Sequence, residues 1–187
     1  MQHFTSVGPN PRVVTLYLAE KGLDLPTQQV DILAGENRQS DFLTRVNPAG
    51  ETPALALDDG TMIAESIAIC EYLDEADRKP GLIGLSAEDR AITRMWIRRV
   101  DIYVVQPMAT GFRSVEGRAL FAARIPLVSE AAGEDLKETV RQRLVWFDAQ
   151  LAGRTWLAGE RFSLADILLY AFLDFGNQRG QPYPAHL

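Results

Sequence analysis

A change of period near residue 80 constrains this chain more than any other feature. Past residue 86 apolar positions recur at helical spacing over long runs, whereas before residue 80 no periodic run exceeds about three turns and short apolar stretches alternate with turn residues. A chain written this way is neither one uniform bundle nor one uniform sheet. Lys79-Pro80-Gly81 marks the break, and charge divides there too: residues 1–80 carry 6 basic and 13 acidic side chains, residues 81–187 carry 13 and 12. The expected organisation is an α/β N-terminal domain over 1–80, a linker over 81–85 and an all-α helical bundle over 86–187. A length of 187 residues leaves room for a core in each.

Asn10-Pro11 opens an apolar run through Val13, Val14, Leu16, Tyr17 and Leu18 that Gly22 closes, which predicts a helix capped by Asn10 with Pro11 as its first residue. Gln28–Ile32 and Thr52–Leu57 predict strands, Asp58-Asp59-Gly60-Thr61 a hairpin turn into Met62-Ile63, and Ser66–Asp77 a helix. In the second half the spacing predicts helices over Glu88–Met108, Phe121–Ala132, Glu134–Leu151 and Leu164–Phe175. Phe162-Ser163-Leu164-Ala165-Asp166-Ile167 places an acid three residues after a serine, the pattern of a self-capped helix start. Gly176 to Leu187 has little helical pattern.

Composition excludes several classes. With 47% hydrophobic and 24% charged residues the chain is neither disordered nor a membrane bundle. A net charge of −6 without a basic, aromatic-interleaved segment excludes nucleic acid and anionic membranes as expected partners. Cys70 is the single cysteine, so no internal disulfide forms. The opening residues carry no basic stretch followed by an apolar run, and the cytoplasm is the expected location.

Three segments carry candidate chemistry. Pro53 lies where a strand begins and removes a ladder donor. A cis bond before it would turn the Thr52 main chain outward, where an extended peptide could pair with it; a trans proline at the first position of an edge strand is the other reading. Glu65-Ser66 opens a helix whose free N–H groups attract anions, so Ser66 could take an α-carboxylate and Glu65 the adjacent ammonium; a capping serine beside a solvated acid is the alternative. Ser6-Val7-Gly8-Pro9-Asn10-Pro11-Arg12 is a tight turn into a helix, where donors would pull a bound thiol from a pKa of ~8.5 toward neutrality; plain N-capping by Asn10 is the alternative.

Taken in order, these segments resemble the glutathione transferase superfamily. The resemblance is carried by Gly8-Pro9-Asn10-Pro11-Arg12-Val13-Val14, Ala19-Glu20-Lys21-Gly22, Gly35-Glu36-Asn37, Asp41-Phe42-Leu43, Asn47-Pro48-Ala49-Gly50-Glu51-Thr52-Pro53-Ala54-Leu55, Glu65-Ser66-Ile67-Ala68-Ile69 and Phe162-Ser163-Leu164-Ala165-Asp166. It implies a thioredoxin-like first domain, a cis Pro53, Thr52 as main-chain partner of glutathione's cysteinyl unit, and Glu65 with Ser66 as the γ-glutamyl anchor. Asn37 and Glu51 fall where members reach the glycyl carboxylate, usually with other residue types. Gly8 stands where the serine classes carry their activating hydroxyl, so the chain is similar to bacterial and fungal members lacking the usual Tyr, Ser or Cys, and Ser6 and Asn10 become the catalytic candidates.

The resemblance further implies a homodimeric detoxification enzyme that takes glutathione as co-substrate, without another cofactor, and joins it to a small hydrophobic electrophile. Met108, Phe112 and Ser114 would form the electrophile pocket, with Tyr103 and Arg113 alongside. Arg94, Arg98, Arg99 and Asp101 lie on a helix that in the family lines both cleft and subunit contact. A regulatory module without activity, or a glutathione-dependent reductase, peroxidase or isomerase, is the competing function. Cys70 reads as a core residue, and His3 and His186 lack the neighbours a metal needs, so no metal is expected. The chain ends soon after Gly176, where family members commonly continue through another helix.

Overall fold

Four short strands make one mixed sheet in the order β2-β1-β3-β4. The computed structural model, which describes residues 1–77, 81–181 and 183, places β1 at Gln2–Thr5, β2 at Thr27–Gln29, β3 at Ala54–Ala56 and β4 at Met62–Ala64. β1 and β2 are parallel with His3 opposite Thr27, an arrangement that needs a crossover, and α1 (Pro9–Lys21) provides it. β3 lies antiparallel to β1 with Phe4 opposite Ala54, and β4 antiparallel to β3 with Ala54 opposite Ala64.

Alternation along the strands sorts the core into two layers. Phe4 and Ala54 join Val30 and Phe42, the latter from α2 (Ser40–Arg45), in a cluster edged by Ile32, Val46, Ala56 and Met62. Their chain neighbours His3 and Leu55, also paired in register, are buried on the opposite face. α3 (Ser66–Ala76) packs on α1. Between these helices the Tyr17 hydroxyl donates to Asp74 at 2.8 Å, and the buried Lys21 ammonium lies 3.4 Å from Asp74 and 3.3 Å from Asp77. Burial and the Asp74 bond push the Tyr17 phenol far up.

Two units result, Met1–Gly81 and Leu82–Leu187. The second contains α4 (Ala87–Val100), α5 (Gln106–Ser114), α6 (Arg118–Phe121), α7 (Glu130–Leu151) and α8 (Leu164–Gln178). A single π turn, Asp101–Val105, joins α4 to α5, with the Gln106 N–H donating to Asp101 five residues back. Pro107 follows at once and has no N–H to continue an α ladder, so the wider turn absorbs the mismatch. α5 and α7 approach closely at two glycines: a Cβ on Gly111 would sit 2.8 Å from Lys137 Cγ, and one on Gly133 2.8 Å from Val115 Cγ2. Trp96, Tyr103, Trp146 and Phe147 form a ring cluster, with Arg99 4.8 Å over Trp96 and Arg143 4.4 Å over Tyr103.

Several expectations are corrected. α1 begins at Pro9, with Gly8 as N-cap at φ 131°, so Asn10 is its second residue and makes no side-chain cap. Either proline suits the first turn, where helical N–H groups have no partner, and the earlier one wins because Gly8 can adopt the preceding conformation. The helix expected over 121–132 does not form. α6 ends at Phe121, Pro126 disfavours helix in the residue before it, and Ser129 starts α7 by accepting the Ala132 N–H at 3.1 Å. The first bundle helix runs past Met108 to Ser114. β1 had no counterpart in the sequence expectations, and Lys79, Pro80 and His186 lie outside the described residues.

Candidate functional site

Register gathers the site. Phe4, Ala54 and Ala64 lie in one row across the sheet. β1 leaves that row toward Ser6, β3 enters it from Thr52-Pro53, and β4 leaves it toward Glu65-Ser66, so residues from three separate segments emerge at one end of the sheet. The Ser6 and Thr52 hydroxyls meet at 2.5 Å, and Ser6 also donates to the Val7 carbonyl at 3.1 Å. The Thr52–Pro53 bond is cis, and among the described residues the Thr52 main chain makes no hydrogen bond.

Two helices open at this end, and neither is capped by a side chain. In α1, Pro9 and Pro11 have no N–H and the Arg12 N–H bonds Gly8 O at 3.3 Å, which leaves Asn10 as the main-chain donor of the first three helical residues. In α3 the Ile69 N–H is the first returned to the chain, at 3.0 Å from Glu65 O, so Ser66, Ile67 and Ala68 present N–H groups outward. The N-cap of α3 is Glu65, at φ 72° and ψ 124°, a conformation that costs a non-glycine residue about 1–3 kcal/mol. Its side chain is exposed while Ser66 is buried. A strained carboxylate beside open amides is an arrangement able to receive an ammonium and a carboxylate together.

The loop entering Thr52 is braced from both sides. Buried Asn47 donates to Glu51 O at 2.9 Å and accepts from Ala49 N–H at 3.0 Å. From the other side Asn37 donates to Gly50 O at 2.6 Å, and Arg38 reaches Ala49 O at 3.5 Å. Gly50, at φ 65°, is required there, because a Cβ would lie 3.0 Å from Asn37 O and 3.1 Å from Leu43 Cδ2. The Asn37 amide nitrogen is thus engaged by the loop, while its buried Oδ1 has no partner among the described residues. Glu51 is exposed. Asn47 entered the sequence reading only as part of a family segment, although Asn-Pro-x-Gly is turn chemistry that could have marked its bracing role.

The residues expected to form an electrophile pocket differ in exposure. Met108 is 1% exposed and Ser114 is fully buried, the first against Gly176 and the second against Gly133. Only Phe112 is half-buried, edge-on to Phe175 at 4.9 Å and to Phe121 at 6.2 Å. Arg98 pairs with Asp101 at 2.7 Å on the surface. Cys70 is buried, and burial with the Asp74 and Glu71 charges pushes its thiol well up, away from the reactive thiolate. Among the described residues no group of three His, Cys, Asp or Glu side chains could hold a metal, and no helix is long and apolar enough to cross a membrane.

The comparisons with known proteins show which family this fold belongs to. Residues 7–76 match the family model for the glutathione S-transferase N-terminal domain, and residues 112–184 that for its C-terminal domain. The chain belongs to the glutathione S-transferase family. Glutathione S-transferase 2 of Saccharomyces cerevisiae is 32% identical over 174 residues, spanning 91% of this chain and 73% of that protein. The crystal structure of a glutathione S-transferase domain-containing protein from Marinobacter aquaeolei VT8 superposes with a TM-score of 0.91 at 34% identity, covering 100% of this chain and 91% of that one. Elongation factor 1-gamma of Equus caballus is 36% identical over 137 residues, 73% of this chain but 29% of its own length. The mixed sheet with its helices is thus the family's thioredoxin-like domain, and the remainder its helical C-terminal domain.

Proposed function

We propose that this protein is a glutathione transferase acting in the cytoplasm: it binds glutathione at the end of the sheet, ionises the thiol and lets the sulfur attack a small hydrophobic electrophile. The observation that carries the reading is Glu65, held at φ 72° at the uncapped opening of α3. Strain of this kind persists where the surroundings hold it for use. The γ-glutamyl ammonium pairs with the Glu65 carboxylate and its carboxylate meets Ser66 and the α3 amides, as charge-assisted hydrogen bonds require. The cysteinyl unit lies along Thr52 as an added strand would. The sulfur then meets the opening of α1, with the Asn10 N–H and the Ser6 hydroxyl as donors.

Stabilising the thiolate is the chemical work. A hundredfold gain in acid dissociation corresponds to about 2.7 kcal/mol and turns a minor thiolate fraction at pH 7 into a majority. Holding both reactants together contributes the rest. The family is commonly dimeric, and the exposed Ile92, Met95 and Ile102 on α4 and the π turn offer a second copy an apolar contact.

The similarity to elongation factor 1-gamma supports a second reading, a binding module without transferase activity. Calorimetric titration with glutathione, followed by thiolate absorbance against pH, separates the two. The transferase reading expects binding with a depressed thiol pKa. Absence of binding leaves the module, and binding with an ordinary thiol pKa removes the mechanism.

A further inference from the structure

The Ser6–Thr52 contact joins side chains 46 positions apart at 2.5 Å, and it has a direction. Two hydroxyls bring two hydrogens. Ser6 donates to the Val7 carbonyl at 3.1 Å, and a hydroxyl donates only once, so with Ser6 turned to Val7 the short contact is donated by Thr52. The chain of bonds then runs Thr52 to Ser6 to Val7. Its last link is the replaceable one, because the Ser6–Val7 bond is exposed in the turn before α1 and water can take over the Val7 carbonyl. The Thr52 link is part-buried and fixes the Ser6 oxygen.

We propose that the Thr52 side chain is a positioning residue for thiol activation: by donating to Ser6 it leaves the Ser6 hydrogen free to swing from Val7 O to the glutathione sulfur. This rests on the glutathione reading of the site. A hydroxyl that accepts a hydrogen bond becomes a stronger donor, so the pair stabilises the thiolate more than Ser6 alone. The thiol proton leaves to water, and no covalent bond in the protein forms or breaks. Thr52 therefore has two separate tasks, its main chain aligning the tripeptide and its hydroxyl aiming Ser6.

Thr52→Val keeps the shape and removes the donor, Thr52→Ser keeps the donor, and Ser6→Ala removes the middle link. For each, and for the double variant S6A/T52V, the thiolate absorbance of bound glutathione is titrated against pH and the affinity for S-methylglutathione, which has no ionisable thiol, is measured by calorimetry. T52V and S6A are each expected to weaken thiolate formation about tenfold, one unit of thiol pKa, with T52S close to the parent and the double variant no worse than S6A. Affinity for S-methylglutathione stays within about twofold throughout, which also verifies folding. A parent-like titration in T52V or S6A, a raised one in T52S, or additive effects in the double variant overturns the proposal. If T52V fails to fold, the T52S and S6A titrations decide alone. A parent protein that binds neither glutathione nor its S-methyl derivative sinks the site reading itself, whereas intact binding with an indifferent titration sinks only the relay.

Discussion

The helix openings of the two units are finished in opposite ways. In the second unit each long helix start is closed by the chain's own groups: Ser86 accepts from Asp89 N–H at 3.0 Å at α4, Ser129 from Ala132 N–H at α7, and at α8 the Leu164 N–H goes to Leu82 O at 3.0 Å while the Asp166 carboxylate braces the start by accepting from the Ser163 N–H and hydroxyl at 2.9 and 2.7 Å and from Leu157 N–H at 2.8 Å. In the first unit α1 and α3 begin at Gly8 and Glu65 with no side-chain cap. Since a cap contributes about 1 kcal/mol, the first unit forgoes stability at two openings that the second unit secures, and the proposed glutathione site lies at those two.

Removing the most heavily used cap gives the largest expected effect. Asp166→Ala leaves three donors without their acceptor, two of them at fully buried Ser163, and should destabilise the protein by about 3 kcal/mol in denaturant unfolding while glutathione affinity is unchanged. A matching loss of affinity would erase the contrast. Glu65 should behave the other way. Glu65→Gly relieves the positive φ and is expected to gain about 1 kcal/mol of stability, yet it and Glu65→Ala should each weaken glutathione binding by about 2 kcal/mol, roughly thirtyfold by calorimetry. Unaltered affinity in both would remove the anchor.

Titration sharpens the comparison further, with a smaller effect. Burial lowers the His3 pKa below its ordinary 6.5, so the unfolded chain binds the proton first. The contribution of His3 to stability is present above that value and is lost as pH falls below it, by at most about 1.4 kcal/mol per pH unit. In the second unit burial alone would lower the Lys137 pKa, but its hydrogen bonds to Glu116 and Glu134 outweigh this and raise it above 10.5. Its contribution is present below that value and fades as pH rises beyond it. Unfolding between pH 7 and 5 should therefore flatten in His3→Gln but not in Lys137→Met, and above pH 10.5 the reverse should hold. A His3→Gln curve that keeps the acid slope would show that another group is responsible.

Local chemistry made much of this fold legible. The turn at Asp58–Thr61, the end of α1 at Gly22 and the Ser163/Asp166 start of α8 are each specified by residues within a few positions, and the structure keeps all three. β1 escaped because four residues with three consecutive buried side chains carry no alternation to read. Apolar spacing past residue 121 suggested a helix, but Pro126 and the Ser129 start divide it, and local punctuation overrides periodicity there. At the candidate site, the places of Glu65-Ser66 and Thr52-Pro53 at element starts could be named because turn and helix-start chemistry is local. The Ser6–Thr52 contact and the commitment of Asn37 to Gly50 could not, since both depend on β1 lying beside β3 and on a loop folding back over a short turn. The burial of Met108 and Ser114 was hidden for a related reason: helical spacing names a face without saying what covers it.

The two prolines that bracket Asn10 have one more consequence. Rings at positions 9 and 11 fix the backbone on either side, so this amide is aimed before any guest arrives and little freedom is lost when one does. A lone, rigidly oriented hydrogen favours a guest atom approaching along one line, so on the proposed reading the mouth of the first coil would select by direction as well as by charge.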